Sequence, residues 1–309
     1  MNEPVVAVTG LRFAYGTRCV IDAVDLSVAA GEVFGVVGAD GAGKSTLLRL
    51  MIGQLAPAEG RISVLGMAPT DARLRSSVAY MPQGFGQYLD LSVQENLDFF
   101  ADLHGLDRAT ARPLMRDLLS RTGLKGFETR RAGQLSGGMM QKLALACALL
   151  SQPRAMFLDE PTTGVDPVSR RAFWQLLDAV RAQGVAILYA TANMDEAERC
   201  DHVGMLQDGR MTRQGTPLEL MARTDARLLA VVGDDARVWR GRVRSLTAVK
   251  LAFPIGRQIK VWLAAGFEES DLRAQVAALA PHLRVIGLEP SLQDIALHDL
   301  ALAGASAHA

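Results

Sequence analysis

Residues 31–50, GEVFGVVGADGAGKSTLLRL, join an apolar run to a glycine-rich turn and then to the start of a helix. GEVFGVVG shows no polar alternation, which fits a central strand covered on both faces. The turn that follows, Gly38, Ala39, Asp40, Gly41, Ala42, Gly43, Lys44, Ser45 and Thr46, has the spacing G-x-x-x-x-G-K-[ST]. Its glycines let successive backbone N–H groups curl around phosphates, and the helix that opens there adds the positive end of its dipole. In such a loop Lys44 reaches the β- and γ-phosphates of a nucleotide, and the Ser45 hydroxyl coordinates Mg2+.

Two further stretches extend that reading. In AMFLDEPTTGVDP, residues 155–167, an apolar strand ending in Asp159 places a carboxylate beside the magnesium of Ser45. Glu160 follows directly and points the other way on the strand, which suits a carboxylate that polarises the attacking water. In LSGGMMQKLALACALL, residues 135–150, Ser136, Gly137 and Gly138 precede a helix and form a second anion site from a hydroxyl, two unshielded N–H groups and the helix N-terminus. One nucleotide needs one phosphate loop, so the second site points to the nucleotide of a partner subunit.

The rest of the chain arranges itself around these motifs as an α/β protein with two domains. Alternating strands at VVAVTGLRFAYG and VIDAVDLSV turn near Gly16, and further strands follow at RISVLGM and SVAYMPQ. From about 91 to 150 the periodicity is helical, after which strands return at RAMFLDE and VAILYAT with a helix between them, closing a mostly parallel sheet. The first domain is assigned to residues 1–215 and the second to 216–309, where the order βαββαβ predicts a small α+β, ferredoxin-like domain with one appended helix. A single helix is expected over residues 234–246.

Composition narrows the function classes. The 309 residues are 49% hydrophobic, enough for a full core, and 33 basic side chains balance 33 acidic ones, so no global field favours nucleic acid or anionic lipid. The N-terminus lacks a secretory signal pattern, and no apolar run reaches the roughly 18 residues of a membrane span, so action at a membrane requires docking on another subunit. Cys19, Cys147 and Cys200 are widely spaced and form no metal-binding pair.

The phosphate loop, a glutamine loop, the LSGG turn and the Asp-Glu strand, in this order, resemble the ATP-binding cassette (ABC) ATPases over residues 1 to about 215. The resemblance implies that Tyr15 stacks on adenine, that Gln83 links magnesium and attacking water to the helical segment, and that Asp166 contacts an opposing cassette. It departs from the common LSGGQ at Met139. The stretches YMPQGFGQYLDLSVQENLDFFADL and QLSGGMMQKLALACAL look like the N-terminal cassette of bacterial tandem-cassette efflux ATPases, which pair with type 2 permeases and a membrane fusion protein. This chain has one cassette, and its aromatic loop GFGQYLDL, residues 84–91, is a candidate permease contact. In most cassettes the strand after Asp-Glu ends in Thr-His, and that histidine contacts the γ-phosphate. In VAILYATANMDEAERCD, Val185 to Asp201, its place is taken by Ala192. His104 and His202, the two histidines of the first domain, are read as exposed or capping residues. The implied function is an ATPase subunit driving export, with a slow site of its own, and the implied location is cytoplasmic, peripheral at the inner face of the cell membrane through the permease. The alternatives are a soluble non-transport cassette protein and a regulatory nucleotide-binding module.

Overall fold

The computed structural model describes residues 3–84, 86–222 and 227–306, with side chains described to residue 301. Phe85 of the aromatic loop therefore lies outside the described residues. The chain divides into two compact units, Met1–Thr216 and Pro217–Ala309.

The first unit is built from two sheets. Val6–Tyr15 (β1) and Arg18–Val28 (β2) pair antiparallel around Gly16, whose φ of 60° suits a residue without Cβ. Val33–Val37 (β3) follows, then helix Lys44–Met51 (α1) and strand Glu59–Val64 (β4), which pairs with the free edge of β1. The larger sheet takes Val78–Met81 (β5), Ala155–Asp159 (β6), Ala186–Thr191 (β7), His202–Gln207 (β8) and Arg210–Gly215 (β9), in the order β5-β6-β7-β3-β8-β9. All its pairings are parallel except β8 with β9.

Every residue of β3, β6 and β7 is buried, as continuous apolar runs require of strands covered on both faces. One cover is α1, whose Leu47, Leu48, Leu50 and Met51 join a single core with Val8, Ile21 and Val64 of the small sheet and Phe157 and Leu188 of the large one. On the other face, helix Pro167–Arg181 (α5) sets Trp174 against Tyr189 with ring centroids 4.7 Å apart.

The helical segment has its own core, in which Leu97 of Val93–Leu103 (α2), Met115 and Leu118 of Arg108–Thr122 (α3), and Leu143 and Cys147 of Gly137–Leu149 (α4) pack together. Its boundaries are written locally. Ser92 and Glu95 form a capping box at the start of α2, Asp107 caps α3, and Gly123 ends α3 at a φ of 70°. A last short helix, Met194–Ala197 (α6), follows β7.

The second unit begins with Pro217–Ala222 (α7) and holds a four-stranded antiparallel sheet. Its strands are Leu228–Val232 (β10), Val249–Ile255 (β11), Gln258–Leu263 (β12) and Arg284–Leu288 (β13), in the order β11-β12-β10-β13. The expected helix over 234–246 is instead a 3-10 turn, Ala236–Trp239, followed by a five-residue helix, Arg240–Arg244 (α8). Asp235 accepts a hydrogen bond from Trp239 Nε1, and the Val238 N–H donates to the Asp235 carbonyl at 2.9 Å, which draws the first turn tighter than an α-helix. Helix Glu269–Leu279 (α9) packs Leu272 and Val276 into the core on one sheet face. Helix Leu292–Ser306 (α10) sets His298 against Trp262, and its Asp294 pairs with Lys260 of β12 at 2.7 Å.

Candidate nucleotide-binding site

Parallel strands put their carboxyl ends on one edge, and there an open α/β sheet binds ligands. Val37 at the end of β3 stands beside Thr191 at the end of β7, and Asp159 at the end of β6 stands beside Ala190. The loop 38–43, the Asp159-Glu160 pair and the segment after Thr191 are therefore brought together from three distant parts of the chain.

The glycine loop is shaped by close approach. A Cβ on Gly38 would meet the Leu206 carbonyl oxygen at 2.3 Å, and one on Gly43, at φ 110°, the Val20 carbonyl oxygen at 2.9 Å. Gly41 turns at φ 81°. Lys44 opens α1 and folds back into the loop, where its Nζ donates to the carbonyls of Gly38 at 2.9 Å and Ala39 at 3.1 Å and lies 3.1 Å from Glu160 Oε1. The Ser45 hydroxyl donates to Asp159 Oδ1 at 3.0 Å. A cleft of 220 Å3 opens here, lined by Asp40, Gly41, Lys44, Ser45, Gln83 and Glu160 among others. Thr46 also lines it, whereas Ala42 is buried in the core behind the loop.

Glu160 is not a strand residue. Strand β6 ends at Asp159, and Glu160 turns out of it at φ 49°, a left-handed conformation that costs a side-chain-bearing residue about 1–3 kcal/mol. Its N–H is fixed on the Ala190 carbonyl at 2.9 Å. The bend, rather than strand alternation, separates the two carboxylates. It aims Glu160 at Lys44, with Gln83 Nε2 and the Thr163 hydroxyl each donating to Oε2 at 3.2 Å.

The oxygen donors present fit magnesium. A hydroxyl and a carboxylate converge at Ser45 and Asp159, and a hard cation that keeps several waters and phosphate oxygens needs few protein ligands. Among the described residues no group of three His, Cys, Asp or Glu side chains forms a cage. Burial pushes the Asp159 carboxyl pKa up, the Ser45 hydrogen bond opposes that, and the neighbouring Glu160 charge adds to it.

The remaining residues read from sequence occupy several places. Tyr15 is 47% exposed at the end of β1, edge-on to Phe13. Ser136 caps α4 by accepting from the Met139 N–H, Gly137 begins that helix, and a Cβ on Gly138 would lie 2.4 Å from Ser169 of α5. Asp166 caps α5 through the N–H groups of Val168 and Ser169, and hydrogen bonding from the Ser169 hydroxyl, then from these N–H groups, holds its carboxyl below the usual range. Ala192 follows Thr191 directly at the end of β7. His202 hydrogen-bonds Glu32 at 2.7 Å, and His104 caps α2.

Residues that the motifs did not reveal complete the setting. Tyr80 on β5 donates to Asp159 Oδ2 at 3.4 Å, and Thr163 braces Glu160. Only the strand order places Tyr80 there, because β5 and β6 are separated by the whole helical segment.

Fold and loop define a P-loop nucleotide-binding domain. The family model described as "ABC transporter" matches residues 21–163. The chain is 32% identical over 302 residues to "Nod factor export ATP-binding protein I" of Rhizobium sp. (strain N33), covering 96% of this chain and 97% of that protein. It is 36% identical over 312 residues to "Probable multidrug ABC transporter ATP-binding protein YbhF" of Escherichia coli (strain K12), where it spans 99% of its own length but 54% of the relative. Among solved structures, the ATP-binding subunit of an ABC transporter superposes with a TM-score of 0.65 at 31% identity, over 71% of this chain and 92% of that one. The chain belongs to the ABC transporter family of ATP-binding cassette ATPases. Among the described residues no helix is long and apolar enough to cross a membrane.

Proposed function

We propose that this chain is the ATP-hydrolysing subunit of an ABC exporter, working through separate membrane permease subunits and pairing with a second cassette. The observation that carries the reading is the convergence of Lys44, Ser45, Gln83 and Glu160 on one cleft, with the buried Asp159 bonded to Ser45 behind it. Export is favoured by the relatives, whose names describe multidrug transport and Nod factor export.

In this reading the loop 38–46 binds the triphosphate, Lys44 releases Glu160 and turns to the β- and γ-phosphates, and Tyr15 offers its ring to the base. Ser45 and Asp159, with Gln83 nearby, would hold Mg2+, which when bound would supply positive charge against the charge that develops on the phosphates. Glu160, held by Thr163 and Gln83, accepts the proton of the attacking water. Ser136, Gly137 and Gly138 serve the partner cassette's nucleotide, and Asp166 faces that partner.

Ala192 supplies no donor to the γ-phosphate. One preorganised donor is worth about 10²- to 10³-fold in rate, roughly 3–4 kcal/mol, so the site binds Mg-ATP and turns it over slowly. The chain then acts as the slow half of an asymmetric pair. The test is steady-state Mg-ATPase of the full chain, alone and with its permease and partner cassette, as wild type and as Ala192→His. A low wild-type rate raised by the substitution supports the reading. A chain with no Mg-ATP affinity, or one recovered with ribosomes or DNA and no membrane protein, overturns it.

A further inference from the structure

Glu196 lies in α6 and is 3% exposed, a burial that carboxylates tolerate only when their oxygens are satisfied. Its Oε1 accepts from the Thr162 hydroxyl, which in turn lies 3.1 Å from the Tyr189 hydroxyl. Its Oε2 accepts from the Thr191 hydroxyl at 2.7 Å, and the same hydroxyl accepts the N–H of Asn193 at 2.9 Å. Arg170 Nε stands 3.3 Å from Oε1, and its Nη2 donates to the Val165 carbonyl at 3.3 Å.

These partners come from two segments of the site, the stretch 162–170 that runs from the turn after β6 into α5, and the end of β7 with the residues after it. Thr162 is two residues after Glu160, Thr191 directly precedes Ala192, and Val165 and Arg170 flank Asp166. Helix α5 also carries Ser169, against which Gly138 of the signature turn is packed without room for a Cβ. One buried carboxylate therefore ties together the segments that carry the water-activating glutamate, the γ-phosphate position and the residue facing a second cassette.

We propose that Glu196 is a positioning residue for hydrolysis, holding the loops of Glu160, Asp166 and Ala192 in a single arrangement. The role rests on the ATPase reading above. It also explains why loss of the imidazole at Ala192 leaves the segment around it built: Thr191 is fixed from the carboxylate side and does not need a residue at 192 to anchor it. Both carboxylate oxygens accept hydroxyl hydrogen bonds and Arg170 adds its charge at ion-pair distance, and such a buried network fixes geometry more strongly than its separate bonds would.

The test uses Glu196→Gln in the full chain, which keeps the shape and removes the second acceptor oxygen. Nucleotide affinity and KM are expected to stay within about twofold while kcat falls by about tenfold or more, the usual scale for an outer-shell partner. Amide exchange in the Mg-ATP-bound chain should quicken in both 166–170 and 191–194 and stay unchanged in the loop 38–46. An unaltered kcat, or faster exchange confined to 191–197, overturns the proposal. Should Glu196→Gln fail to fold, Thr191→Val, equal in shape and lacking the hydroxyl, is read in the same way. Failure of the ATPase reading shows separately, as a wild-type chain that does not bind Mg-ATP, and the exchange measurement without nucleotide still decides whether the two loops are tied through Glu196.

Discussion

Lys44 is 5% exposed and holds two backbone carbonyls and the Glu160 carboxylate at once, so its ammonium is already inside the glycine loop proposed to take the phosphates. A charge-assisted hydrogen bond is worth about 1.5–3 kcal/mol, and Lys44→Ala removes the only cation of the loop 38–46. Titration with Mg-ATP should show affinity weakened about a hundredfold by the loss of one to two such bonds. Glu160 behaves differently because it is braced by Gln83 and Thr163 at 3.2 Å rather than placed in the phosphate loop. Glu160→Gln should keep nucleotide binding and lower turnover about 10²- to 10⁴-fold, the range for a general base. Unchanged turnover in a single-turnover assay would move the water-activating role elsewhere.

At the scale of elements, the contact between α4 and α5 is made at Gly138. A methyl there meets Ser169 at 2.4 Å, so Gly138→Ala must push the two helices apart. Overpacking of this kind costs about 1–3 kcal/mol, and a denaturant midpoint lowered with unchanged slope would show it. Affinity for the chain's own nucleotide should be unaffected, since α4 is not part of the loop 38–46.

The cysteines report the same packing. Cys147 is buried in α4 and Cys200 is buried beside Gly35 of β3, and burial pushes both thiol pKa values up, whereas Cys19 is exposed. Because the thiolate is the reactive form, a maleimide at neutral pH should label one thiol per folded chain and three after denaturation. Rapid labelling of two or three in the native chain would contradict the burial of these elements.

For the whole molecule, each unit has a core of its own, one around Leu47, Phe157 and Leu188 and one around Val231, Val261 and Leu272. A chain ending at Thr216 should therefore unfold cooperatively and retain Mg-ATP affinity. A truncated chain that shows no cooperative melting would make the second unit part of the first unit's stability.

What the sequence determined by itself is local. Strand, glycine loop and helix over 31–50 follow from apolar run, turn chemistry and cap, because the backbone at Gly41 and Gly43 needs positive φ wherever the loop is placed. The capping box at Ser92 and the N-cap at Asp107 are likewise fixed by neighbours three residues away. Candidate site residues were legible where they sat in such motifs, as Lys44, Ser45, Asp159 and Ser136 did. Only the tertiary structure decided the rest. The strand order β5-β6-β7-β3 brings Tyr80 onto Asp159 across 79 positions and ties Thr162 to Glu196 across 34, and no local period encodes those distances. The left-handed turn at Glu160 was equally invisible, because Pro161 biases the residue before it toward extended backbone, and the bond to Ala190 of the neighbouring strand helps hold it in the strained conformation.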